Sequence, residues 1–177
     1  MSEERARDAG DDEDVDKEVM DVFVETPKGS RKKYEHDHEL DVMRLDRRLA
    51  SATLFPSDYG YVPDTAGNDG EALDALVLAD EPTDPGTMVS VRPVGVFWLK
   101  TDEGPEAKII AVPHGDPVWV EIEDIDHVPN HLKAEIENFF EVYKQLEAAP
   151  HPTSGGYEGR AAAVKAIADA RARFRES

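Results

Sequence analysis

Two acidic stretches hold the residue types best able to do chemistry: Asp69-Gly70-Glu71-Ala72-Leu73-Asp74 and Asp102-Glu103-Gly104-Pro105-Glu106-Ala107-Lys108. Each adjoins an apolar, strand-like run, so their carboxylates can converge in the folded chain. Converging carboxylates repel unless a cation stands between them, and a hard ion such as Mg²⁺ fits that role. Asp69 and Glu71 lie two residues apart, which in an extended chain puts both on one side, and Gly70 permits a tight bend. Lys108 is one residue from an apolar strand, where it can neutralise a carboxylate or hold a phosphate oxygen as a point charge. Acidic loops before strands are common surface features, so neither stretch is decisive alone.

Three further stretches offer complementary groups. Arg47, in Asp46-Arg47-Arg48, presents a planar fork suited to phosphate. Later in the same stretch, in Phe55-Pro56-Ser57-Asp58-Tyr59-Gly60-Tyr61, Tyr59 can donate a phenolic hydrogen bond, whereas Tyr61 reads better as core. Glu25, Lys33, Tyr34 and Glu35 form another group, and Tyr143-Lys144 ends an apolar periodic segment. His127 and His131 have the i, i+4 spacing of a helical zinc pair, but Pro129 between them argues against a regular helix there. The chain has no cysteine, which excludes disulfides, thiolate catalysis and Cys-based zinc sites.

The elements that must position these groups change character along the chain. From Asp21 to about Val112 the apolar runs are short and strand-like: 22–24, 33–36, 42–45, 52–55, 75–78, 88–91, 94–99 and 109–112. Turn-like Pro27-Lys28-Gly29-Ser30, Ala66-Gly67-Asn68-Asp69-Gly70 and Asp84-Pro85-Gly86 separate them. Many short strands with such turns predict a small barrel or sandwich. Leu132, Ile136, Phe139, Phe140, Tyr143 and Leu146 then recur at three- and four-residue spacing, an amphipathic helix with Pro129 at its first turn. A second, alanine-rich helix is expected over 158–175, with Val164, Ile167 and Phe174 available for docking. The fold class is mainly β with two helices (α+β): an OB-like small closed β-barrel flanked by two C-terminal helices.

Charge bounds the partners. Among 177 residues, 39 are acidic and 20 basic, a net charge of −19. This excludes a general nucleic-acid binder, which needs a basic face. Residues 1–18, with nine acidic and three basic residues, read as a disordered acidic tail. Residues 19–177, expected to form one domain, still carry −13. An acidic body predicts a halophilic protein, because near 1 M salt the Debye length falls to about 3 Å and self-repulsion is screened. The ordinary alternative is an acidic mesophilic protein. No apolar run approaches the roughly 20 residues of a membrane span, and the N-terminus is unlike a targeting peptide, so a cytoplasmic location is expected.

Together the five stretches resemble family I soluble inorganic pyrophosphatases, from about Val22 to Glu147. The pieces occur in the family's order: Glu25…Lys33-Tyr34-Glu35, Asp46-Arg47, Pro56 to Tyr61, Asp69 to Asp74, Arg92-Pro93-Val94-Gly95, Asp102 to Lys108 with Ala111-Val112-Pro113, and Phe139 to Lys144. The resemblance implies a cytoplasmic, Mg²⁺-dependent hydrolase of pyrophosphate, with several Mg²⁺ per subunit and a homohexameric assembly. By resemblance Asp69, Asp74 and Glu106 are central metal ligands, while Asp102 and Glu25 serve metals brought with the substrate. Lys33, Arg47, Lys108, Tyr143 and Lys144 match phosphate-binding groups, Glu35 a supporting acidic position, and Tyr59 a hydroxyl on the nucleophile side. Glu71 takes the place of the family's general base. The chain departs from the usual Asp-Gly-Asp-Pro-x-Asp at Glu71 and Ala72. Glu106 also replaces an Asp, in a loop one residue shorter, and Phe55 stands where Tyr is frequent. The expected chemistry is in-line attack by a metal-activated water without a phosphoenzyme. The competing reading is a non-catalytic, acidic OB-like module that binds divalent cations.

Overall fold

Period-two burial marks β-strands such as Met20–Thr26 and Asp58–Val62 in the described chain, residues 19–177 of a computed structural model. The expected acidic tail, 1–18, lies outside the described residues. Eight strands follow one another as β1 (Met20–Thr26), β2 (Lys32–Asp37), β3 (Val42–Arg48), β4 (Asp58–Val62), β5 (Leu73–Val77), β6 (Thr87–Thr101), β7 (Gly104–Pro113) and β8 (Thr153–Gly159). Two helices, α1 (Asn130–Val142) and α2 (Arg160–Glu176), flank β8. The main sheet runs β1-β4-β5-β7-β6-β8, and β1 also pairs with the first part of β6, so the pairings return on themselves in an OB-like sheet. β2 and β3 form a separate hairpin. The fold is mainly β with two helices, as expected.

Alternation divides the sheet into two apolar faces. Leu76, Leu78, Phe97, Leu99, Ile110 and Val112 pack against Ile136, Phe139, Phe140 and Tyr143 from α1 and the residue that follows it. Ala75, Val77, Val96, Ile109 and Ala111 pack instead against Ala163, Ile167 and Ala170 of α2. The small inward side chains of α2 let it lie close to the sheet. Val164 and Phe174, expected to dock it, are 39% and 44% exposed.

Other expectations are corrected in detail. Residues 52–55 form no strand: Leu54 is half exposed, and Phe55 bonds through its backbone to Ser30 and Gly29 rather than to a ladder. The two runs 88–91 and 94–99 are one long strand, bent by a register shift between Pro93 and Gly95. α1 stops at Val142, leaving Leu146 73% exposed. β8 escapes sequence reading because it is Thr-Ser-Gly-Gly-Tyr-Glu-Gly. Gly155 is needed for close approach: a Cβ there would stand 2.9 Å from the Trp98 carbonyl oxygen. No helix among the described residues is long and apolar enough to cross a membrane.

Candidate active site

The same alternation carries polar groups onto the α1 face where the apolar core ends. Asp74 precedes Leu76 and Leu78 on one face of β5, and Glu106 and Lys108 precede Ile110 and Val112 on one face of β7. Register aligns them across strands, with Tyr61 opposite Asp74, Asp74 opposite Lys108, and Lys108 opposite Phe97. Lys108 is only 4% exposed. Its ammonium donates to Asp74 Oδ2, to Glu106 Oε2 at 3.2 Å and to the Tyr59 hydroxyl at 3.4 Å. Burial opposes this charge, but the Tyr59 oxygen and the Asp74 and Glu106 carboxylates outweigh it and hold Lys108 well above the ordinary lysine value. Burial, and then the Asp74 charge, push Tyr59 far above the usual phenol range.

Glycine explains the Tyr-Gly-Tyr spacing of β4. A Cβ at Gly60 would fall 1.9 Å from the Phe23 carbonyl oxygen, so only glycine lets β4 lie against β1 here. Tyr59 and Tyr61 both turn the other way, into the cleft. Tyr61 is therefore not core, contrary to the sequence reading. Asp58 is fully buried and structural, accepting from the backbone N–H groups of Lys28 and Thr83.

Asp69 and Glu71 sit in a turn, not in extended chain. The Glu71 N–H donates to Asp69 Oδ1 at 3.0 Å, the Gly67 N–H donates to the Glu71 carbonyl at 2.6 Å, and Gly70 adopts φ +82°. This turn is anchored at its base by α2, through Ala66 N–H to the Ala170 carbonyl and Arg173 Nε to the Ala66 carbonyl. Both acidic side chains are exposed, and both line the same cleft as Asp74, Glu106 and Lys108, about 480 Å³ in volume.

Glu25 reaches the cleft from β1, its Oε1 accepting from the His36 N–H at 2.8 Å. Burial is the main cause that pushes its carboxyl up to about 7, with Asp74 and Glu35 adding to it. Lys33 pairs with Glu35 and lies 3.6 Å from Asp46. Tyr143 and Lys144 extend the wall made by Phe139 and Phe140. Two sequence candidates do not line this cleft. Asp102 lines an adjoining hollow of about 300 Å³ that shares Glu106, Tyr143 and Lys144. Arg47 is held by Asp46 and by Glu147, whose Oε1 accepts from its Nε at 2.8 Å. His36 and His38 also line the cleft and were missed, although their two-residue spacing in a strand-like run marks a shared face.

The donors are of the type a hard divalent cation takes, but among the described residues no three of them converge closely enough to hold one by themselves. Every free carboxylate facing the cleft offers oxygen, and Lys108 balances only Asp74 and Glu106. The Glu25 carboxyl is raised first by burial and then by the Asp74 and Glu35 charges, which Lys33 only partly offsets. Carboxylate sites of this kind suit Mg²⁺ or Mn²⁺ rather than soft metals.

A cleft that sets carboxylates beside lysines and a tyrosine hydroxyl on an OB-like sheet defines a protein built to take an anion together with cations. Comparison with known proteins makes this specific. A family model for inorganic pyrophosphatase matches residues 22–175. The chain is 47% identical over 162 residues to the inorganic pyrophosphatase of Methanosarcina acetivorans, covering 92% of this chain and 96% of that one. It is 45% identical over 157 residues to that of Streptomyces coelicolor, covering 89% and 96%. The crystal structure of the Thermus thermophilus inorganic pyrophosphatase superposes with a TM-score of 0.87 at 38% identity, over 96% of this chain and 95% of that one. The chain belongs to the inorganic pyrophosphatase family.

Proposed function

We propose that this chain hydrolyses inorganic pyrophosphate to two orthophosphates, with Mg²⁺ as the activating cation and no phosphoenzyme. The observation that carries the reading is Lys108, buried between Asp74 and Glu106 at the bottom of a carboxylate-lined cleft. A polyanion cannot enter such a cleft without cations beside it. Asp69, Asp74 and Glu106 would hold Mg²⁺, with Glu25 and Asp102 receiving further ions that arrive with the substrate. Bound there, the ion lowers the pKa of a water and neutralises phosphate charge.

The chain's own groups do the rest. Glu71, on the exposed turn, accepts the proton of the attacking water. Tyr59 orients the nucleophile side through its hydroxyl, which stays protonated because burial and Asp74 hold its pKa high. Lys108, Lys33, Tyr143 and Lys144 offer donors to phosphate oxygens and stabilise charge on the leaving group. Glu35 keeps Lys33 oriented. Arg47 joins them by exchanging Glu147 for phosphate.

The test is phosphate release from pyrophosphate with Mg²⁺, with and without EDTA, across KCl concentrations. Release that requires the cation supports the reading. Cation binding by folded protein with no release above background would favour the non-catalytic module instead. The −13 charge of residues 19–177 supports a halophilic protein, stable only at high salt. Equal stability at low and multimolar KCl would end that part. Exposed Leu45, Leu54, Met88, Val118 and Val120 suit burial in a cytoplasmic homohexamer, as the family resemblance implies.

A further inference from the structure

His36 joins two groups that the proposed chemistry does not use. Its ring packs on Phe23 with centroids 4.6 Å apart, and the side chain is 12% exposed. Both ring nitrogens are engaged: Nδ1 lies 2.9 Å from the Tyr61 hydroxyl and Nε2 lies 2.9 Å from Asp41 Oδ1. Asp41 reaches this position from the β2–β3 turn, where it adopts φ 51°, a left-handed conformation that Asp tolerates better than most residues. The His38 ring stands edge-on to both His36 and Tyr61, at 4.5 Å and 5.3 Å between centroids. Tyr61 in turn faces the cleft next to Glu25.

We propose that Asp41, His36 and Tyr61 form a relay that fixes the Tyr61 hydroxyl as a hydrogen-bond acceptor for cation-bound water on the Glu25 side of the cleft. In neutral imidazole one nitrogen donates and the other accepts. A carboxylate only accepts, so Asp41 draws the proton to Nε2 and leaves Nδ1 as the acceptor. Tyr61 must then donate its proton to Nδ1, and its lone pairs turn toward the cleft. A hydroxyl held this way accepts from water and cannot donate to a phosphate oxygen. It thus serves the hydration of a cation, whereas Tyr59, whose oxygen already accepts from Lys108, lies on the floor beside Asp74. His36 and Asp41 are positioning residues. Within the relay it is the Tyr61 hydroxyl that meets the cation's water. The wider β2–β3 hairpin supplies no competing partner for the His36 ring: Asp37 is taken by Arg44 and by the turn N–H groups of Glu39 and Leu40.

The inference rests on the cation-assisted reading above. The experiment measures Mg²⁺ binding by calorimetry without substrate, in the full chain, for wild type, Tyr61→Phe, His36→Leu, His36→Asn and the double variant Tyr61→Phe/His36→Leu. Circular dichroism checks that each is folded. One hydrogen bond at this site predicts a roughly three- to tenfold weaker affinity for Tyr61→Phe and for His36→Leu. The double variant should be no worse than either single change, because both remove the same contact. His36→Asn keeps an acceptor near Nδ1 and should restore most of the affinity. In pyrophosphate hydrolysis the loss should shrink as Mg²⁺ is raised. Unchanged affinity in both single variants, or fully additive losses in the double one, would overturn the relay while leaving the wild-type reading intact. Wild type that binds no Mg²⁺ would end both.

Discussion

The floor of the cleft and its rim solve the same electrostatic problem differently. On the floor, Lys108 is buried and serves Asp74 and Glu106 from adjacent parallel strands, so its geometry is set by the ladder. On the rim, Asp69 and Glu71 sit on a turn, and Arg47 and Lys33 are held only by side chains, Asp46, Glu147 and Glu35. The floor has fixed charge and little freedom. The rim has charges whose present partners can be exchanged for phosphate or a cation. A site for a polyanion needs both: a preorganised bottom that costs no rearrangement, and a margin that can trade partners.

The contrast can be broken at the floor first. Lys108→Met leaves Asp74 and Glu106 facing each other without their cation. Activity should fall by roughly 10³-fold, the effect of losing a preorganised charge, and stability by about 2 kcal/mol, less than for a fully dry pair because solvent reaches both carboxylates. Steady-state kinetics and urea unfolding check this, and a loss of only tenfold would put Lys108 outside the chemistry. Glu71→Gln tests the rim's one proposed base. The maximal rate should drop by about 10²-fold, while Mg²⁺ affinity changes far less. Equal losses in both would make Glu71 a ligand instead.

Glu147→Gln sharpens the picture of exchangeable partners. Weakening the grip on Arg47 should lower KM for pyrophosphate a few-fold with little change in kcat, whereas Arg47→Ala raises KM by about tenfold. A rise in KM for Glu147→Gln would mean that the pair positions Arg47 rather than restraining it.

Glu25 gives the smallest and most pH-specific effect. Its folded carboxyl titrates near 7, above its unfolded value of 4.5, so folding penalises the charged form. That penalty is absent below about pH 4.5, grows as pH rises, and is complete above about 7. Glu25→Gln should therefore stabilise the metal-free protein at pH 8, by on the order of 1 to 3 kcal/mol, and do nothing at pH 4. Thermal melts at the two pH values decide it, and equal shifts at both would contradict the burial argument.

How much of this was legible in the sequence follows the same division. The helices and most strands were readable because apolar periodicity is set by burial, which Ile136, Phe139 and Phe140 obey on α1. Lys108 could be singled out because a lysine beside four buried apolar residues needs a partner. β4 and β8 were not readable, since Gly60 and Gly155 answer to close backbone approach rather than to hydrophobic pattern. Tyr61 was misread as core for the same reason: Gly60 sets which way it faces. Asp69 and Glu71 line one cleft through an Asx-type turn rather than the extended spacing expected of them. The pairing of Arg47 with Glu147 spans 100 residues, and no local pattern announces it.

The most direct test of the whole account is a phosphate-release assay on wild type and Asp74→Asn, run side by side with pyrophosphate and Mg²⁺ in multimolar KCl. The wild type should release phosphate only with Mg²⁺, and the folded variant should lose about 10²-fold or more. Near-equal turnover by the two proteins, or none by the wild type, would contradict it.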